Sequence, residues 1–170
     1  MPTPLRFGLF CTAAVVFGAL LSSCRADGTK MRFHLFAGES WGRADCLSLP
    51  VDTVAASGEY DLTLLLRTSA AGLSVCKTIY LNVREEGLQL SPPLNDTLAV
   101  SLDNEQMRKG RNGVAYHEIA IPVRRVRLKR GMCGNLLISH AMAADSLTGI
   151  SELGYRLEPA APFPADAGGL

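Results

Sequence analysis

The chain has 170 residues with 17 basic and 16 acidic side chains, a formal net charge of +1. That near-balance argues against nucleic acid as a main partner, because such binding rests on neutralising many phosphates. The length suits one domain with a substantial core. The five cysteines include no C-x-x-C and no histidine stands at ligand spacing, so neither a metal site nor another cofactor is expected.

The first 23 residues read as a leader. Arg6 is the only charged side chain before Cys24, and Phe7 to Leu21 is almost wholly apolar. A positive head, an apolar stretch and small residues at the end describe a secretory signal peptide. About 15 apolar residues at ~1.5 Å each reach only about 22 Å, short of a bilayer core of ~30 Å. The ending Leu21-Ser22-Ser23-Cys24 resembles the bacterial lipobox, in which the cysteine sulfur takes a diacylglycerol before cleavage. Cys24 would then begin the mature chain and carry three acyl chains, enough for a lasting membrane anchor. Without the leader, basic and acidic residues balance. Residues 24–30 form a short polar tether with no acidic run after the cysteine, which favours a domain in the cell envelope facing the periplasm. Cys46, Cys76 and Cys133 remain, so at most one internal disulfide can form.

From residue 31 to 158 the pattern has period two, the signature of strands. Met31, Phe33 and Leu35 alternate, and a turn at Gly38-Glu39-Ser40 follows. Leu47, Leu49 and Val51 alternate next, and Pro50 within them predicts that this strand lies at an edge or breaks there. After the Ala55–Gly58 turn come Tyr60, Leu62, Leu64 and Leu66, then Ile79, Leu81 and Val83 before a Glu85-Glu86-Gly87 turn. Leu88 and Leu90 predict a short strand, and Leu98, Val100 and Leu102 another. Residues 103–113 read as an exposed loop, with one helical turn at Asp103–Met107. Ile119, Ile121 and Val123 share one face, whereas Val126 and Leu128 fall on even numbers. The spacing therefore predicts a bulge or bend near Val123-Arg124, where one extra residue swaps faces. Leu136 to Met142 is expected as an interior strand, 143–151 as a loop and Leu153 to Leu157 as the last strand. Residues 159–170 read as a loose tail. Many short strands with turn residues between them predict an all-β antiparallel sandwich of jelly-roll or immunoglobulin-like type.

Several stretches resemble the GldH family of gliding-motility-associated lipoproteins. These are Trp41-Gly42-Arg43-Ala44-Asp45, Tyr60 to Arg67, Asp96-Thr97-Leu98, Gly110-Arg111-Asn112-Gly113, His140-Ala141-Met142, Asp145 to Ile150 and Leu153 to Leu157. Ser74 to Ile79 and Ala143 depart from the family pattern, so the likeness is to a divergent member. The resemblance implies a lipid-anchored envelope protein that binds components of a gliding or protein-secretion assembly. It brings no catalytic residues.

Trp41, the sole tryptophan, either offers a face to a partner or a sugar, or plugs the end of the sandwich with its indole N–H bonded to backbone. The run Arg124 to Arg130 holds five cations. Arg125, Arg127 and Lys129 form either a patch for lipid headgroups, glycan phosphates or an acidic partner, or a charged edge guarding against strand pairing. His117-Glu118 is an acid–base pair on paper, but neighbours in a strand face opposite sides. No nucleophile elbow, zincin helix or phosphate loop is present. The expected function is therefore non-enzymatic binding in the envelope. The alternative is a carbohydrate-binding sandwich, for which Trp41 with Tyr60 or Tyr80 would form the platform.

Overall fold

The computed structural model describes residues 28–69, 77–102, 111–112 and 116–161. The leader, Cys24, Cys76, the turn expected at Asp103–Met107, most of the 103–113 loop and residues 162–170 lie outside the described residues. The strands are β1 (Lys30–Leu35), β2 (Ser40–Gly42), β3 (Leu47–Val51), β4 (Gly58–Ser69), β5 (Thr78–Glu86), β6 (Asn95–Ser101), β7 (Arg111–Asn112), β8 (Tyr116–Leu128), β9 (Gly134–His140), β10 (Ser146–Thr148) and β11 (Ile150–Pro159). Two antiparallel sheets pack into an all-β sandwich, ordered β1-β11-β4-β8-β7 and β3-β9-β5-β6, with β2 and β10 as a small separate pair. Among the described residues no helix is long and apolar enough to cross a membrane.

The period-two pattern builds the core. Tyr60, Leu62, Leu64 and Leu66 of β4 face inward with Ile119, Ile121, Val126 and Leu128 of β8, and with Leu153, Tyr155 and Leu157 of β11. Leu47, Leu49, Val51, Ile79, Leu81, Val83, Leu136 and Ile138 close the core from the second sheet. Each fully buried side chain of this kind contributes roughly 1.5–3 kcal/mol, which makes the alternating leucines the main source of stability.

The expected irregularity in β8 is a bulge at Val123. Leu62 pairs with Arg124 and Thr63 with Pro122, so Val123 is the extra residue. It lets Ile121 and Val126 both point inward. Pro50 lies on β3, which pairs with β9 alone and is an edge strand. β9 runs between β3 and β5, as an interior strand must.

Two expectations are corrected. Leu88 and Leu90 form no strand, because Gly87 (φ 81°) and Gln89 (φ 51°) take left-handed backbone conformations that break extension. Leu88, Leu90 and Leu94 instead turn into the core from an irregular loop. Residues 143–151 are also not wholly loop. β10 lies within them and pairs with β2, Leu147 opposite Trp41. A three-residue strand carries too little periodicity to stand out in the sequence.

Candidate functional site: a cationic cleft beside β8

Once past the bulge, β8 turns Arg125 and Arg127 to the outer face of the larger sheet. The register sets Asp61 opposite Arg125 and Glu59 opposite Arg127. Arg125 donates from Nε and Nη2 to the two carboxylate oxygens of Asp61, at 2.8 and 3.0 Å. This fork, more than proximity alone, holds the Asp61 carboxyl below the usual range and pushes the Arg125 guanidinium up. Arg127 reaches Glu59 at 3.1 Å but remains 78% exposed, so this second pair is open to solvent. Lys129 follows in the turn, where its N–H meets the Met132 sulfur at 3.1 Å.

Arg125, Arg127 and Lys129 thereby line one open cleft of about 500 Å³, with Glu59, Gln89, Ser91 and Met132 completing its walls. Arg124 turns to the other side of the strand and donates from Nη2 to the Pro92 carbonyl at 2.7 Å, fastening the 88–94 loop against β8. Of the sequence-predicted contact residues, the structure thus gathers Arg125, Arg127 and Lys129. The sequence reading missed Glu59 and Asp61, whose two-residue spacing on β4 mirrors that of the arginines and was the signal for cross-strand pairing. Gln89 and Ser91 carry no such signal, because a loop brings them.

Trp41 is corrected as a contact residue. It is fully buried, so it offers no face to a sugar or a partner. The indole N–H donates to the Asp45 carbonyl at 3.1 Å, and the ring packs 5.3 Å from both Phe36 and His140. Tyr60 is buried as well, with its hydroxyl donating to the Ala56 carbonyl at 2.8 Å. Tyr80 is exposed, but with Trp41 buried the platform of Trp41 with Tyr60 or Tyr80 does not form.

The buried Glu118 and His140 are both packed among structural neighbours. Glu118 accepts from Arg67 Nε at 2.8 Å, and Glu152 accepts from Arg67 Nη1 at 2.6 Å. The same guanidinium lies 3.8 Å from the Phe33 ring centre and 4.7 Å from that of Tyr116. Burial alone would lower the Arg67 pKa, but the two carboxylates outweigh it and the net shift is upward. His140 is buried. Its Nδ1 accepts from the Met142 N–H at 3.4 Å, and Nε2 has no hydrogen-bond partner among the described residues. Burial lowers its pKa, Arg43 adds to the effect, and the backbone of Trp41 and Gly42 together with Asp45 pulls part of the way back.

Cys46 and Cys133 are exposed free thiols. They precede β3 and β9, which run antiparallel with Leu47 opposite Ile138 and Val51 opposite Gly134. The two thiols therefore sit at opposite ends of a strand pair about 17 Å long and cannot bond to each other. No group of three or more His, Cys, Asp or Glu side chains is placed to hold a metal among the described residues.

No family model matches the chain, and no curated protein does either. Among solved structures it is similar to a Podospora anserina GH26-CBM35 beta-(1,4)-mannanase, at 15% identity and a TM-score of 0.42, over 82% of this chain and 29% of that one. It is also similar to dimeric latent PorU from Porphyromonas gingivalis, at 11% identity and a TM-score of 0.38, over 77% of this chain and 13% of that one. A third is Eiger TNF from S. frugiperda, at 14% identity and a TM-score of 0.36, over 81% and 96%. The chain thus spans less than a third of the first two.

Proposed function

We propose that this chain is a lipid-anchored, non-enzymatic protein of the cell envelope that works by binding other envelope proteins. The resemblance to the GldH family adds the setting, a gliding or protein-secretion assembly, and Cys24 supplies the anchor. One observation supports the binding reading above the others. Among the described residues, the buried groups that could do acid–base chemistry are engaged in the fold, Glu118 on Arg67 and His140 packed against Trp41. The open cleft, in contrast, sets Arg125, Arg127 and Lys129 beside Glu59, Gln89 and Ser91, a charged and polar lining suited to protein contact. The carbohydrate reading loses its support with Trp41 and Tyr60 inside the core.

Affinity capture of the full-length protein from intact, crosslinked envelopes tests this. Components of a gliding or secretion assembly should be retained with the native chain and lost with Cys24→Ala, which should leave the membrane fraction or keep its leader. Retention of the same set by unanchored Cys24→Ala would remove the anchor from the function. Capture of polysaccharide with no envelope protein would overturn the reading.

A further inference from the structure

Lys30, Lys129 and Arg130 all lie toward one end of the sandwich, and the N-terminal chain leaves from that end. Lys30 pairs with Leu157 near the end of β11, and Leu128 at the end of β8 pairs with Gly58. The turn after β8 is tied to the loop after β3 by three hydrogen bonds, the first from the Val54 N–H to the Met132 carbonyl at 2.8 Å. The Gly131 N–H donates to the Val54 carbonyl at 2.9 Å, and the Arg130 N–H donates to Ser57 Oγ at 2.9 Å. Gly28 and Lys30 border an open cleft of about 600 Å³ with the Ala55–Gly58 loop and Pro159. At this end Asp52 matches Arg32, Glu59 matches Arg127, and Glu86 closes β5. Among the described residues Lys30, Lys129 and Arg130 form no ion pair within hydrogen-bonding reach, although Lys30 also acts at longer range on Asp52. Lys77, Trp41 and His140 lie toward the other end.

We propose that this end rests on an anionic phospholipid surface, with Lys30, Lys129 and Arg130 among the headgroup phosphates. The proposal rests on the reading of Cys24 as the acylated residue. Cys24 and Gly28 are four residues apart, a reach of at most about 14 Å. Attraction between a cation and an anionic bilayer decays over a Debye length of about 8–10 Å. The tether therefore keeps this end of the sandwich near the bilayer and lets it settle within the range in which headgroups act on its cations. An acidic partner protein would account for the charges but not for their position beside the tether.

The test uses the full lipidated chain reconstituted into phosphatidylcholine vesicles with or without phosphatidylglycerol. Amine acetylation at Lys30, Lys129 and Lys77 is read by mass spectrometry, and the same digest reports the acyl chains on Cys24. Lys30 and Lys129 should label several-fold more slowly on the anionic vesicles, high salt should abolish the difference, and Lys77 should be unchanged. Equal labelling of Lys30 and Lys129 on both vesicles, with Cys24 acylated, overturns this proposal and leaves the anchor standing. Protection in native envelopes but not on anionic vesicles overturns it in favour of an acidic protein. An unacylated Cys24 overturns the anchor reading and this proposal with it.

Discussion

Tyr155 on β11 donates its phenolic hydrogen to the Pro50 carbonyl on β3 at 2.8 Å, bridging the two sheets through the core. Pro50 has no N–H of its own to give, yet its carbonyl is still satisfied inside the sandwich. Burial, with the Asp52 carboxylate nearby, pushes the Tyr155 hydroxyl up to about 12.

Tyr155→Phe should cost about 1 kcal/mol, the net worth of one hydrogen bond, read as a lower urea midpoint at unchanged slope. The pH dependence has a definite sign. The folded pKa lies above the unfolded value of about 10, so the native chain should lose stability as pH rises from about 10 through 12. Tyr155→Phe should remove that part of the alkaline decline. An equal decline in the variant would count against it.

His140 works in the opposite direction. Its folded pKa is depressed by burial, so its contribution is complete above the unfolded value of about 6.5 and is lost as pH falls through the folded one. Urea midpoints measured from about pH 7.5 down to 5 should fall for the native chain and flatten for His140→Phe, which keeps a ring beside Trp41.

Gly154 on β11 has the β1 backbone close above it. A Cβ there would run into the Arg32 carbonyl oxygen and the Phe33 ring, so Gly154→Ala must push β1 aside. Thermal unfolding should show a loss of about 1–3 kcal/mol, the usual cost of overpacking. Phe33→Ala should relieve part of it when combined with Gly154→Ala, giving a non-additive double variant.

Arg67 joins three strands through one guanidinium, with side-chain exposures of 20% for Arg67, 10% for Glu118 and 26% for Glu152. Arg67→Ala leaves two half-buried carboxylates facing each other and should cost about 2 kcal/mol, below the ~3–5 of a fully buried pair. Arg67→Lys should recover little, because an ammonium cannot fork between both carboxylates and lie flat on Phe33. Full recovery in Arg67→Lys would show that charge alone matters there.

How much of this was legible in the sequence depended on the range of the interactions. Alternation along β4, β5, β8 and β11 exposed the strands, and the odd-to-even switch between Ile121 and Val126 exposed the bulge. Pro50 marked an edge because a missing N–H is a local fact. Trp41 could not be placed by the same means. Its burial depends on Phe36, His140 and a strand pairing with residues more than a hundred positions away. The cations of β8 were visible as a run, but their neutralisation by Glu59 and Asp61 required the register of β4. Leu88 and Leu90 misled because alternation in so short a stretch does not distinguish a strand from a plugging loop.

The bulge at Val123 also imposes a rule of parity on β8. Odd-numbered side chains point inward before it and even-numbered ones after it. Deleting that one residue would join Pro122 to Arg124 in plain alternation, with Arg125 still opposite Asp61 on the outer face and Val126 still opposite Tyr60 in the core. The sandwich therefore tolerates the loss of one residue from β8 at the bulge, whereas one added residue needs a further bulge to absorb it.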